Sequence, residues 1–482
     1  MAHDRLCPAC RKTRLSRYNH DPLCAPCMRA SQIAPPLPEP ITLAWLWDSL
    51  PMREALARVD LAAVVAVFRA AAGLSQHELA DILGWSQSSL SLFESGHRNT
   101  LYDIRELLRF TDAVDMPRDA LLPLILGQAF AALPDVPLAD IGGLEVANMD
   151  LDRRGFATAI TGAATAVMLT EPSVPVKVTA SHVRYLKTCA ENLSSRDQAI
   201  GGGALLKQAV RQWLRAKRML DESDYTEPVG RELLSVTGDL AVTAEWLAFD
   251  AGNVNLAQRL DAEALALAGG VGDAGLAAHV LELSSMLYSH MARLDGGKGR
   301  ARQGLRLADQ AANAAAHEPM PRLHALIALR RASAASLLGD EHAFRASIGR
   351  ARHELDRGVS PDDPSWIQFV DEFEIDAQEA IGHSNLGHYG AAIELQRMSL
   401  AGPGVAKRNS ACTRAQLASA FAAQGDANSA LSEARAVLPV LADGVRSVRA
   451  LNELRPVRVV AQQVRDDEFC ELFDLVGDGL SV

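Results

Sequence analysis

The amino-acid sequence predicts an all-α protein in three parts: a cysteine-paired knuckle (1–34), a small helical domain (60–127) and a long helical array (179–482), joined by connectors at 35–59 and 128–178. Three observations carry that prediction. Cys7, Cys10, Cys24 and Cys27 form two CxxC pairs separated by thirteen residues. The run Leu74 to Gly96, LSQHELADILGWSQSSLSLFESG, has the spacing of two short helices joined at a glycine. From about Thr179 onward the chain is rich in Ala and Leu at helical period, with almost no strand-like alternation.

The 482 residues, 48% hydrophobic and 22% charged, suffice for two or three domain cores. No stretch reaches the roughly 18 to 20 uninterrupted apolar residues that a membrane span needs. Gly155 to Leu169, preceded by Arg153 and Arg154, superficially matches a twin-arginine export signal. Export signals are N-terminal, so an Ala-rich packed or linking helix is the expectation here, and the compartment is expected to be cytoplasmic.

In that reducing compartment the knuckle cysteines are expected as thiolates rather than disulfides. A structural Zn²⁺ takes four soft ligands in a tetrahedron, and Cys7, Cys10, Cys24 and Cys27 supply them from two turns. The segment is too short to build an apolar core, so the metal would provide much of its folding energy. Arg5, Arg11, Lys12, Arg14, Arg17 and Arg29 surround the cysteines against only Asp4 and Asp21. Such a surface suits either a phosphate backbone or a solvated knuckle used for protein contact, and charge alone does not choose between them.

Pro35, Pro36, Pro38 and Pro40 make a stiff boundary that cannot continue a helix. A leading helix resumes near Leu43, and Asp60 to Ala72 forms the first domain helix, carrying Arg69 and ending at Gly73. Gln76 opens the next helix, with Leu79 and Leu83 on its buried side and Ala80 small where its neighbour crosses. Gly84 ends it with a positive φ, and Ser86 caps a following helix that starts at Gln87. Leu90 and Phe93 pack inward from that helix, leaving Gln87, Ser88, Ser89 and Ser91 outward. Two more helices, Leu101 to Val114 and Pro117 to Gly127, complete five.

This stretch resembles the lambda-repressor-like XRE family of helix-turn-helix transcriptional regulators, on LSQHELA, LGWSQSSLS and FESGHR. The resemblance implies that Gln76 and Arg98 bind phosphates of double-stranded DNA and that Gln87, Ser88 and Ser89 face base edges, with Ser91 as a further contact. Glutamine can pair bidentately with adenine, so Gln87 is expected to be the principal reader. Leu92 departs from the pattern at an outward position, where it would meet a thymine methyl group instead. Residues 1–127 hold 13 Lys and Arg against 14 Asp and Glu, so most of the net charge of −11 lies in the remainder. Without a basic patch, affinity has to come from few phosphate contacts, groove fit and two copies per site, which makes a homodimer the expectation.

In the array, five glycine-marked turns are each followed five positions later by a small or apolar residue. They are Gly252 with Ala257, Gly296 with Ala301, Gly339 with Phe344, Gly387 with Ala392, and Gly425 with Ala430. Spacings of 44, 43, 48 and 38 residues indicate stacked helix pairs that bury their apolar faces against one another. NLGHYGAAIELQRMSLA and AAQGDANSALSEARAVL resemble tetratricopeptide repeats, at a period longer than the consensus 34. SWIQFVDEFEIDAQEAIGHSNLGHYGAA is similar to segments of actinobacterial XRE regulators with such repeats.

That resemblance, which takes in the peptide-sensing RRNPP regulators, implies a concave groove that binds a peptide or protein partner. Trp213, Trp246, Trp366 and Phe369 could line it, although helical aromatics are more often core. Asp371, Glu372, Glu374 and Asp376 read as a solvated acidic face, with a basic-partner site as the alternative. No GxGxxG after a strand, GxxxxGK[ST], HExxH or GxSxG occurs, and the Gly201 to Gly203 run reads as a break between helices. The chain is therefore expected to be a DNA-binding regulator and not an enzyme, the alternative being a repeat scaffold or defence-type adaptor with secondary DNA binding.

Overall fold

The computed structural model describes residues 5–6, 14–15, 46–97, 101, 104–117, 120, 174–358, 363–401 and 406–480. The four knuckle cysteines, Arg98, the segment from Arg153 to Leu169 and nearly all of the helix expected at 117–127 lie outside these residues. Among the described residues the architecture is all-helical apart from one two-stranded ribbon, in which β1 (Arg5–Leu6) pairs antiparallel with β2 (Arg14–Leu15).

The small domain comprises α1 (Leu50–Ala57), α2 (Leu61–Ala71), α3 (Gln76–Leu83), α4 (Gln87–Glu94) and α5 (Ile104–Ala113). Local chemistry sets the boundaries. Asp60 caps α2 by accepting from Ala63 N at 3.0 Å. Ser75 and Glu78 form a reciprocal capping box on α3, and Gly84 closes it at φ 68°. Each such cap stabilises its helix by about 1 kcal/mol. The α1 helix, expected only as a leader, packs Met52 and Leu56 into the same core as Phe68, Leu79, Leu90, Phe93 and Phe110. Burying each of these side chains contributes roughly 1.5–3 kcal/mol.

This core does not end within the small domain. Tyr185 and Cys189, from the first helix of the array, are buried in it. The Tyr185 ring lies 5.9 Å from Phe68, and its hydroxyl donates to Val114 O at 3.1 Å. Burial raises the Tyr185 hydroxyl well above the usual phenol range, so it remains a donor.

The array begins with α6 (Ala180–Ile200) and α7 (Gly202–Glu222). Five hairpins follow: α8 (Glu227–Asp250) with α9 (Val254–Val271), α10 (Ala274–Asp295) with α11 (Lys298–Ala314), α12 (Pro321–Leu338) with α13 (Glu341–Asp356), α14 (Glu372–Asn385) with α15 (Tyr389–Leu400), and α16 (Lys407–Gln424) with α17 (Ala427–Ala442). Three shorter helices end the described chain: α18 (Val448–Glu453), α19 (Arg455–Val464) and α20 (Asp467–Leu480).

The five marker glycines sit between the partners of the five hairpins, all at positive φ. Ala257, Ala392 and Ala430 are fully buried where the paired helices meet. Phe344 stands where the other hairpins have alanine, and the neighbouring helix makes room for it. A Cβ at Gly382 of α14 would fall 2.1 Å from the Phe344 ring.

An open concave groove was the expectation, and here the structure corrects it. The array closes on itself, with α6 packed against α16 and α8 against α18. Arg446 N donates to Ile200 O at 2.8 Å, and Gly203 N donates to Arg446 O at 2.9 Å. Asp197 pairs with Arg408, and Asp250 with Arg449 at 2.9 Å. The Gly201 to Gly203 run is thus both a helix break and the place where the distant segment runs against the first helices. A Cβ at Gly202 would sit 2.4 Å from Leu247 O.

Candidate nucleic-acid interface

The recognition surface is built from α3 and α4. Ser86 has extended backbone and accepts from Ser89 N at 3.1 Å, which fixes the first turn of α4 and leaves the preceding chain free to turn away. Leu90 and Phe93 anchor α4 inward, with Trp85 edge-on to Phe93 at 5.7 Å.

Gln87 and Ser88 are exposed at the N-terminal end of α4, whereas Ser89 and Ser91 are half-buried. The Ser89 hydroxyl lies 2.7 Å from Ser86 Oγ, inside the cap rather than pointing outward. Ser88 Oγ is 3.0 Å from the same atom. Leu92 is 49% exposed on the outer side, the position its spacing indicated.

A hydrogen-bonded chain runs back from Gln87 into the domain. Gln87 Nε2 donates to Gln76 Oε1 at 3.1 Å, and Gln76 Nε2 donates to Glu94 Oε2 at 2.8 Å. Arg69 then holds Glu94 with Nε to Oε1 at 2.6 Å, while its Nη1 donates to Leu74 O at 3.1 Å. The exposed amide is therefore positioned through three helices. Sequence reasoning named Arg69, Gln76 and Gln87 but not Glu94, which joins them. An acid in FESGHR facing an arginine in the last turn of α2 was the available signal.

The electrostatics are unusual for a DNA surface. Residues 60–97 carry Arg69 as their one Lys or Arg, against Asp60, Glu78, Asp81 and Glu94. Two of these acids face the array. Hydrogen bonds from the Ser75 amide and hydroxyl, followed by Arg184 at 2.8 Å, hold Glu78 below its ordinary carboxylate value. Burial opposes ionisation of Asp81, but hydrogen bonds from Thr179, at 2.6 Å, and Ser181 outweigh it and lower its pKa. Beside them, burial and Arg215 push His182 down to about 4, leaving it neutral. At 3.6 residues per turn, Glu78 and Asp81 lie on the side of α3 away from Gln76. The array thus docks behind the helix pair and leaves the Gln76, Gln87 and Ser88 surface open.

Arg98, expected to grip phosphate, and Cys7, Cys10, Cys24 and Cys27, expected to hold zinc, fall outside the described residues. The strands beside the first cysteine pair are described, and their register opposes Arg5 to Leu15 and Leu6 to Arg14. Among the described residues, no cluster of His, Cys, Asp and Glu suits a metal. No helix among them is long and apolar enough to cross a membrane.

Residues 60–124 match a protein family described as a helix-turn-helix domain. No curated protein matches the chain. The family match and the geometry of α3 and α4 coincide, so this part of the chain is a helix-turn-helix DNA-binding domain.

Proposed function

We propose that the protein is a sequence-specific transcriptional regulator of the XRE type, acting in the cytoplasm, whose tetratricopeptide-like array senses a ligand. The observation that carries this reading is the exposed N-terminal end of α4, held by the Gln87, Gln76, Glu94 and Arg69 chain while the array occupies the opposite side of α3. In that arrangement Gln87 reads adenine N6 and N7, Ser88 makes a permissive base contact and Leu92 meets a thymine methyl group. Gln76 and Arg98 take phosphates, with backbone amides at the helix N-termini assisting. Ser89 and Ser91 support α4 more than they read bases, because one is engaged in the cap and both are half-buried.

With so few cations on the domain, one copy binds weakly, and a homodimer on a two-fold operator supplies the remaining affinity. Cys7, Cys10, Cys24 and Cys27 hold a structural zinc that folds the knuckle, and no step of DNA reading passes through the metal. Sensing would reach the DNA through α6. One stretch of this helix, from Ser181 to Cys189, packs on the DNA-binding domain, and a later stretch at Ser194 and Asp197 faces the interior of the array. A ligand that favours one placement of α6 changes operator affinity by linkage.

Genome-wide crosslinking followed by footprinting tests the reading. Discrete promoter sites are expected, with Gln87→Ala weakening them by about ten- to a hundredfold, the effect of one bidentate base contact. Equal binding by wild type and variant removes Gln87 as reader. A complete absence of discrete sites favours the scaffold alternative.

A further inference from the structure

The inner helices of the array, α6, α8, α10, α12, α14, α16 and α18, surround a cavity of about 180 Å³. A second space of about 350 Å³ adjoins it, and Ser194, Thr243, His279 and Trp366 line both. The boundary between them is a stacked pair, with the His279 and Trp366 rings 3.4 Å apart and nearly parallel. An α-helix with its side chains is roughly 10–12 Å across, so the enclosed interior suits a small molecule better than a helical peptide.

Charge inside this passage is unevenly compensated. Every inner arginine already has a carboxylate: Arg408 with Asp197, Arg449 with Asp250, and Arg330 with Glu282 at 2.7 Å. An anionic ligand would have to break one of these buried pairs, leaving its carboxylate without a partner. Glu374 lines the same cavity and accepts from Gln378 Nε2 at 2.8 Å; Arg330 and Arg408 lie near enough to act on it, but each is paired with another carboxylate, and Glu374 makes no direct ion pair among the described residues. The outer space sets Glu191, Asp239, Asp273 and Glu318 against Lys187 alone.

The polar wall is also incomplete. Asp197 is 3% exposed and lines the cavity, yet among the described residues its Oδ1 has no hydrogen-bond partner, and His279 Nδ1 is likewise buried without one. Arg408 and Arg449 already lie over the Trp246 ring, so the aromatic surfaces left for a ligand are Phe369 and the face of Trp366 that His279 does not cover.

We propose that this interior binds a small organic cation, an amine or guanidinium compound with an apolar body, entering through the acidic outer space and placing its charge at Glu374 and its body against Trp366 and Phe369. A carboxylate beside an aromatic face is the electron-rich setting that an ammonium group favours. The inference supplies the ligand class for the sensing role proposed above, and its binding step is independent of DNA.

The test uses the full-length protein and three matched probes, 2-phenylethylamine, phenylacetate and 2-phenylethanol, together with agmatine, followed by calorimetry and tryptophan fluorescence. Saturable binding of at least one of the two cations is expected, with neither phenylacetate nor phenylethanol binding. Glu374→Gln should weaken it by about tenfold or more, the loss of one charge-assisted contact, with an unchanged circular-dichroism melt showing that the variant folds. Trp366→Leu should also weaken cation binding. Binding of phenylacetate as tight as that of the amine, no saturable binding by either cation, or an unchanged affinity in Glu374→Gln overturns the proposal. Footprinting on the same samples separates the two readings. Operator binding without cation binding sinks only this site, and cation binding without discrete DNA sites sinks only the regulator.

Discussion

Asp115, at the end of the DNA-binding domain, accepts a hydrogen bond at 2.7 Å from Nε2 of Gln212, ninety-seven residues further along the chain on α7. Arg211 Nε adds an ion pair at 2.9 Å, and the carboxylate that receives both is buried. Asp115 also sits at φ 51°, a left-handed conformation in which Asp and Asn are the tolerated non-glycine residues. The backbone strain and the hydrogen bonds thus coincide at the seam between domain and array.

Asp115→Ala removes the acceptor and adds a left-handed alanine. Leaving the buried Gln212 amide without that partner costs about 1–3 kcal/mol, to which the backbone adds about 1 kcal/mol. The DNA-binding domain should then melt before the array, splitting one calorimetric transition into two. Asp115→Asn, which keeps the turn and an acceptor oxygen, should lie between Ala and wild type. A single unshifted transition in Asp115→Ala would show that this seam carries no coupling.

The closure of the array makes a second prediction. Asp250 is fully buried, and although burial alone would raise its pKa, Arg449, Arg408, the Gly202 amide and Ser447 together hold it below the ordinary value. Asp250→Ala leaves Arg449 buried and unpaired, which costs about 3–5 kcal/mol. Urea unfolding should show the midpoint falling accordingly. Gly202→Ala should destabilise as well, because its Cβ would collide with the Leu247 carbonyl and not with a side chain that can move. Near-wild-type midpoints for both variants would mean that the two ends of the array do not hold each other.

What could be read in the sequence follows from where the determinants lie. The starts of α3 and α4, and the turn between them, depend on Ser75, Gly84 and Ser86, each acting within three or four residues, and local chemistry of that kind is legible in one chain. The hairpin glycines were legible for the same reason. The seam at Tyr185 and Asp115 and the closure at Asp250 join residues 71 to 199 positions apart, and nothing in local pattern announces such pairs. The acidic run from Asp371 shows the limit most clearly. Read as one solvated face, it divides in the structure, with Asp371 capping α14, Asp376 pairing with Arg352 at 2.7 Å and Glu374 turning to the interior. Helical period made that division possible, but the occupant of each side came from distant elements. Trp246, Trp366 and Phe369 likewise proved to be cavity wall, whereas Trp213 packs into the array with Lys217 over its ring.

The pH dependence of stability offers a third test, at Asp239 in the outer space. Burial pushes its carboxyl up to about 7, with Asp273 and Glu191 reinforcing the shift and Lys187 opposing it. Below the ordinary value of 3.8 the group is protonated whether the chain is folded or not, and it contributes no slope. Between there and about 7 the unfolded chain releases a proton that the folded chain retains, so stability falls as pH rises through this window and levels off above it. Asp239→Asn removes that contribution while keeping the side-chain shape. Melting temperatures measured from pH 4 to 8 should therefore decline less steeply in the variant, which should be the more stable of the two at pH 8. Because Glu245 and Glu374 are also shifted upward by burial, the informative quantity is the difference between the two curves and not the slope of either. Parallel curves would place the ionised Asp239 in contact with water, with no burial cost on its charge.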